Sequence, residues 1–224
     1  MKLPESVRLA PWTRRAALPA VAAVAAIAAT LLAACASTAG APQLYQLRAA
    51  PPAPASAPAA QAMGPVLQLL LPVTLPEALE RDAIVVEQGQ AGLQALAGHR
   101  WAEPLRDAVP RVLRQALATL LGPGQVLVAP LPAGAAVQRH LRVDVLQLQA
   151  NAARSQVQLQ VRWVLSAGAA ASSGHAVTPP TTQLQTFGAP VEGADVDAIV
   201  AAHRMVLWRL AEALAAQVKA PASR

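Results

Sequence analysis

The sequence predicts an α/β fold: a single-domain sandwich of a mixed, largely antiparallel sheet packed by two main helices. Three observations carry that expectation. The stretch "QVQLQVRWVL" at 156–165 alternates polar and apolar residues with period two, as a strand buried on one face does. "LRDAVPRVLRQALATLL" at 105–121 repeats apolar residues at the spacing of one helical face, and a second stripe of that kind closes the chain.

The elements follow in order. "QLYQLR" at 43–48 reads as a short strand with Leu44 or Tyr45 marking the inward face. The next stretch, "AAPPAPASAPAAQAMG" at 49–64, has no periodicity, and its Pro/Ala composition favours extended conformations that bury no face; it is a disordered loop or a linker. "PVLQLLLPV" at 65–73 is an apolar run ended by proline, the mark of a buried strand. "AIVVEQ" and "LQALA", separated by Gly89, Gln90, Ala91 and Gly92, predict a hairpin.

The first helix should start at Pro104, where a missing N–H is harmless, and stop at Gly122, Pro123 and Gly124. Its apolar face is Leu105, Val109, Val112, Leu113, Ala116, Leu117, Leu120 and Leu121. Pro110 falls inside it, on the polar side, where it predicts a bend. "QVLVAP" is a further short strand. "RHLRVDVLQLQ" at 139–149 and "RSQVQLQVRWVLS" at 154–166 should form a long antiparallel pair, with a bulge where the first changes parity between Val145 and Leu146. "TTQLQTF" is a strand that Pro179 and Pro180 confine to an edge or delay. Asp195 can cap a final helix whose inner face is Val196, Ile199, Val200, His203, Leu207, Leu210, Leu214 and Val218.

Ahead of this domain stands a different kind of segment. Lys2, Arg8, Arg14 and Arg15 precede an uncharged run from Ala16 to Ala34, with only Glu5 opposing them. That is the layout of an export signal. The run approaches the ~20 residues of a membrane span, but alanine dominates it and contributes little transfer energy. Leu32, Ala33, Ala34 and Cys35 resemble the lipobox of bacterial lipoproteins: a branched apolar residue, two small ones, then the thiol that takes the lipid. The expected organisation is a signal peptide at 1–34, a lipidated tether at 35–42, a domain at 43–218 and a tail at 219–224.

Removing the signal leaves a mature chain of 190 residues, enough for one domain with a substantial core. The 18 basic residues fall to 14 and the 12 acidic ones to 11, so a net charge of +6 becomes +3. With no arginine-rich run, nucleic acid is not an expected partner. The single cysteine excludes an internal disulfide and a cysteine-based zinc site. Covalent diacylglycerol and an N-acyl chain on Cys35 would hold the protein firmly to a membrane; no other cofactor and no metal is expected.

Catalytic chemistry has little to build on. His99, His140, His175 and His203 are scattered over separate elements without metal-ligand spacing. His203 falls on the core face of the last helix, and His175 sits in a small-residue loop with Ser172 and Ser173, which no strand-turn-helix elbow surrounds. A periplasmic hydrolase would have to assemble its site from distant residues.

One block is specific. Over 75–128, Leu75-Pro76 is followed by Leu79, Arg81, Ile84-Val85, Gly89 and Leu93, and then by Arg100-Trp101-Ala102-Glu103-Pro104-Leu105, Arg111-Val112-Leu113 and the run from Leu117 to Leu121. This block resembles the PqiC family of ABC-type transport auxiliary lipoproteins, as do "LYQL", "LRVDV" and the strand through Trp163; Pro110 and the Pro/Ala insertion depart from the family's pattern. The resemblance implies a non-catalytic outer-membrane lipoprotein that works with an MCE-domain protein and inner-membrane transport components in lipid trafficking or membrane integrity. Ala36 after the cysteine resembles lipoproteins sorted to the outer membrane. Within the motif, Trp101 reads as a core anchor, Glu103 and Pro104 as the helix start, and Arg100 as one half of an ion pair. Arg106, Arg111 and Arg114 lie on the polar helix face, solvated or facing a partner. A structural or assembly lipoprotein that binds lipopolysaccharide or a β-barrel is the alternative, and homo-oligomerisation is left open.

Overall fold

The computed structural model describes residues 41–49, 65–168 and 179–220. The segment read as an export signal, Cys35, the Pro/Ala stretch beyond Ala49, Ser172, Ser173, His175 and residues 221–224 lie outside them. The chain divides into Met1–Ala41 and Pro42–Arg224, and the fold is that of the second unit.

Among the described residues, eight strands and two helices build it. The strands are β1 (Gln43–Tyr45), β2 (Leu67–Leu69), β3 (Ala83–Gln88), β4 (Gly92–Trp101), β5 (Val126–Leu127), β6 (Arg139–Ala150), β7 (Gln156–Ala167) and β8 (Thr181–Pro190). The helices are α1 (Leu105–Leu121) and α2 (Val196–Lys219), with a 3-10 turn at Glu77–Leu79. All strands join one mixed sheet. Its long pairings, β3 with β4, β6 with β7 and β7 with β8, are antiparallel. The short ones, β1 with β4, β2 with β5, β2 with β6 and β3 with β6, are parallel.

β6 is the spine. Along one side it pairs with β7 over almost its whole length. Its other side is shared in succession by β2 at Arg139 to Leu141, by Thr74 opposite Asp144, and by Val86 of β3 opposite Ala150. The expected bulge is there, as a register shift between Val145 and Gln147 that turns Leu146 out to solvent. By changing parity, it keeps Leu141, Val143 and Val145 on the same face as Leu148 and Ala150.

That face is covered by both helices. Val157, Leu159, Val161 and Trp163 of β7 are fully buried in one core with Val109, Leu113 and Leu117 of α1 and Ile199, Leu207 and Leu210 of α2. Val157 to Trp163 alternate with Gln156, Gln158, Gln160 and Arg162 on the open face, so the sandwich has two layers. Trp163 has no exposed surface, and its Nε1–H donates to Gln185 Oε1 of β8 at 3.1 Å. The helices meet each other directly, and at their ends Lys219 Nζ donates to the carbonyl of Leu120 at 2.9 Å. Asp195 caps α2, its carboxylate accepting from the Ala198 N–H at 2.8 Å.

Several elements differ in extent from the sequence expectation. The run at 65–73 yields only the three residues of β2, since Pro72 offers no N–H to continue the ladder and Leu71 is left exposed. "QVLVAP" yields two residues. β4 is longer than "LQALA", running through Gly92 to Trp101. Between Ala95 and Arg100 it carries extra residues against β3, and Gly98 adopts φ +76° in this bulge. The bulge delivers Trp101 to the core side at the strand's end. Pro104 is the residue before α1 rather than its first, and α1 is one helix through Pro110. Among the described residues, no helix is long and apolar enough to cross a membrane.

Candidate functional site

The "HRWAEPL" motif forms a corner where β4 ends and α1 begins, and that corner is the seat of β1. β1 runs parallel to β4, with Gln43, Leu44 and Tyr45 opposite His99, Arg100 and Trp101. The pairing continues past the strand's end, where the Ala102 N–H donates to the Tyr45 carbonyl at 2.7 Å. On the other side the Trp101 N–H donates to the Asp82 carbonyl, also at 2.7 Å. The motif's main chain is therefore held from both flanks.

The side chains complete the seat. Tyr45, not Leu44, faces inward: it is 7% exposed against 62% for Leu44. Its hydroxyl lies 2.9 Å from His99 Nδ1, with the two rings tilted against each other. Burial raises the Tyr45 pKa above its usual value, and the carboxylates of Asp197 and Asp195 add to the shift. The phenol stays protonated at neutral pH.

Trp101 is buried, and its ring meets the His203 ring edge-on at 5.4 Å. His203 Nδ1 is 2.8 Å from the Ile199 carbonyl. Burial drives the His203 pKa down to about 4, against the smaller opposing pull of that carbonyl. The imidazole is thus neutral near pH 7, a donor to its own helix and a packing surface for the motif tryptophan.

Arg111 is the tie between helix and strand. Its guanidinium makes a two-pronged ion pair with Glu103, through Nε to Oε2 at 3.3 Å and Nη2 to Oε1. The same Nη2 donates to the Leu47 carbonyl at 2.9 Å, and Leu47 is itself buried. From the other helix, Arg204 Nε donates to the next carbonyl, that of Arg48, at 3.3 Å. The chain just after β1 is therefore held by both helices.

The other motif residues lie as follows. Arg100 faces Asp82 at 3.6 Å with both side chains more than half exposed, a pair of small energetic weight. Arg106 and Arg114 are exposed, Arg106 beside Asp107 at 3.8 Å. Arg111 leaves that group: it lies on the helix side facing β1, not on a free surface. Cys35, Leu32, Ala33 and Ala34 lie outside the described residues. The partners of the Leu47 and Arg48 carbonyls and the Tyr45–His99 contact had no local signal beyond "LYQL", since each joins residues 54 or more positions apart.

A second polar cluster lies on the open sheet face. Asp144 is nearly buried between Arg142 Nε at 3.5 Å and Arg162 Nη2 at 3.4 Å. Nearby, Glu87 Oε1 accepts from the amides of Gln147 and Gln149 at 3.1 and 3.0 Å. Each carboxylate is held by donors from its own sheet, which stabilises the face without presenting a reactive group. Among the described residues, no three His, Cys, Asp or Glu side chains converge as metal ligands would.

Solved structures share this architecture. One, of an uncharacterised protein, matches with a TM-score of 0.60 and 17% identity, covering 80% of this chain and 99% of the other. Another, from Xanthomonas campestris, matches at 0.55 and 20% identity, covering 79% and 95%. At such identities the likeness is one of fold. No curated protein matches the chain. A family model, the ABC-type transport auxiliary lipoprotein component, matches residues 45–215, from the buried tyrosine of β1 into the last turns of α2, and so takes in the motif corner, the sheet and both helices. The chain belongs to that family of ABC-type transport auxiliary lipoproteins.

Proposed function

We propose that the protein is a non-catalytic accessory subunit of an MCE-type, ABC-linked lipid-trafficking or membrane-integrity system, anchored to the outer membrane through lipidated Cys35 and docking a periplasm-spanning partner there. The observation that carries this reading is the seating of β1. Cys35 stands eight residues before Gln43, and β1 is built into the sheet edge and tied down by Arg111 and Arg204 immediately after it. The seven residues at 36–42 can then span at most ~25 Å at ~3.5 Å per residue. A body tied so near its lipid is suited to marking a place on the membrane and holding a partner at it. Family membership supports the transport context, and the closed carboxylate clusters on the open face suit a binding role better than turnover.

The test is purification of the tagged full-length protein from native membranes in mild detergent. An MCE-domain protein and an ABC permease or ATPase should accompany it in the outer-membrane-linked fraction. If both are absent even after mild cross-linking, the reading fails. Recovery of a β-barrel or lipopolysaccharide in their place would favour an assembly lipoprotein.

A further inference from the structure

The sheet ends on one side in β8, and its edge is unusually open. Among the described residues β8 pairs only with β7, through ten consecutive residues. The Val191 N–H donates to the Ser155 carbonyl, continuing the same register. In an antiparallel ladder the main-chain groups alternate between the two sides of a strand. Counting back from Val191, Ala189, Phe187, Gln185 and Gln183 turn their N–H and C=O toward β7. Gly188, Thr186, Leu184 and Thr182 turn theirs outward. The Arg209 guanidinium donates to the Gly188 carbonyl from α2, as that alternation requires.

Proteins usually blunt such an edge with charge, proline, bulges or shortness. The other two edge strands here are three and two residues long. β8 has ten residues, no charged side chain and no bulge, and its one proline stands at the last position. Leu184 is 59% exposed in its middle.

Beside the end of this edge runs a groove of about 260 Å³. Pro190 and Glu192 form one wall; Ala198, Ala201, Ala202 and Met205 of α2 form the other, with Arg209 alongside. A strand edge next to a helix-walled groove is the arrangement that binds extended peptides by strand addition, with main-chain bonds giving affinity and the groove selecting side chains.

We propose that the β8 edge and the β8–α2 groove bind an extended segment of a partner protein as an additional strand. An apolar side chain of that segment fills the alanine-walled groove, and a neighbouring acidic side chain pairs with Arg209. Only an extended main chain offers donors and acceptors at the two-residue repeat of Thr182, Leu184, Thr186 and Gly188. Arg209 already holds the place of the first incoming N–H, and it supplies the positive charge that the acidic residue meets. One extended segment occupies edge and groove together, its main chain along β8 and one side chain in the groove. The inference rests on the accessory-subunit reading, which supplies the partner.

The experiment compares tagged full-length wild type with two variants purified from native membranes, the MCE-domain and ABC components being quantified by mass spectrometry. Thr186→Pro removes one outward N–H without touching the β7 ladder. Met205→Glu puts a carboxylate in the groove and leaves the strand unaltered. Both should keep the wild-type melting temperature within a few degrees and lose at least tenfold of the co-purified component. Residue-resolved hydrogen exchange on the wild type should show Thr182, Leu184, Thr186 and Gly188 amides exchanging fast in the isolated protein and at least tenfold slower in the complex. If wild type brings down the transport components while the Met205→Glu variant retains them and those four amides stay fast in the complex, the groove proposal is wrong and the accessory reading stands. If wild type brings down none, the accessory reading fails and this inference with it. If the four amides slow on concentrating the isolated chain, together with a dimer mass, β8 is a self-interface and the proposal is overturned.

Discussion

His203 couples stability to pH. Its ordinary pKa near 6.5 falls to about 4 in the fold because burial penalises the charged ring. Below pH 6.5 the unfolded chain takes up a proton that the folded chain refuses, so the native state is destabilised progressively until about pH 4. Its contribution is fully present above pH 6.5, and the loss across the window is on the order of 3 kcal/mol, at 1.36 kcal/mol per pH unit. His203→Phe keeps an aromatic surface against Trp101 and should flatten denaturant-midpoint profiles between pH 4 and 6.5. An unchanged slope would assign the acid sensitivity to other groups.

Arg111 acts differently, since it is part-exposed and its pair with Glu103 is correspondingly weak. Removing it leaves the carbonyl of buried Leu47, just after β1, without its partner. Arg111→Ala should lower global stability by only about 1–2 kcal/mol yet speed proteolysis and amide exchange over 43–48 far more than elsewhere. Uniform acceleration through the whole domain would show that β1 opens only with the core. The sequence groups Arg111 with Arg106 and Arg114 on the polar helix face; besides Gln115 one turn on, its partners Glu103 and Leu47 stand 8 and 64 positions away, which no helical periodicity reports.

At the scale of elements, local chemistry was the better guide where it was redundant. The Asp195 cap, the stripe of α2 and the parity change at Leu146 each show in consecutive residues, and each is found. Asp195→Ala should cost about 1 kcal/mol by leaving the Ala198 N–H uncapped; a melting shift within error would mean the first turn is held by packing alone. The apolar runs at 65–73 and 125–130 reach beyond β2 and β5, because such runs do not reveal where a ladder loses its neighbour. Trp208, buried on α2 with its Nε1–H on Glu212 at 2.9 Å, widens the inner face beyond the stripe read from sequence.

For the whole molecule, the anchor and the body make separate contributions. Cys35→Ala should move the protein from the membrane pellet to the soluble periplasmic fraction while leaving its melting temperature unchanged. Continued membrane association through the N-terminus would overturn the lipid-anchor reading. The body is held by one core that both helices share with β6 and β7, so its stability should not depend on the acyl chains.

The sequence by itself determined the fold class, both helices with their inner faces, the long β6–β7 pair and the family, because periodicity and motif spacing are written in neighbouring residues. Tertiary structure alone decided that β1 seats parallel on the motif strand, that β6 has three successive neighbours on one side, and that β8 leaves a long uncharged edge beside a groove. Those features depend on which distant segments meet. Parallel pairing and edge position follow from the packing of the whole sheet, and alternation within a strand cannot report what lies beside it.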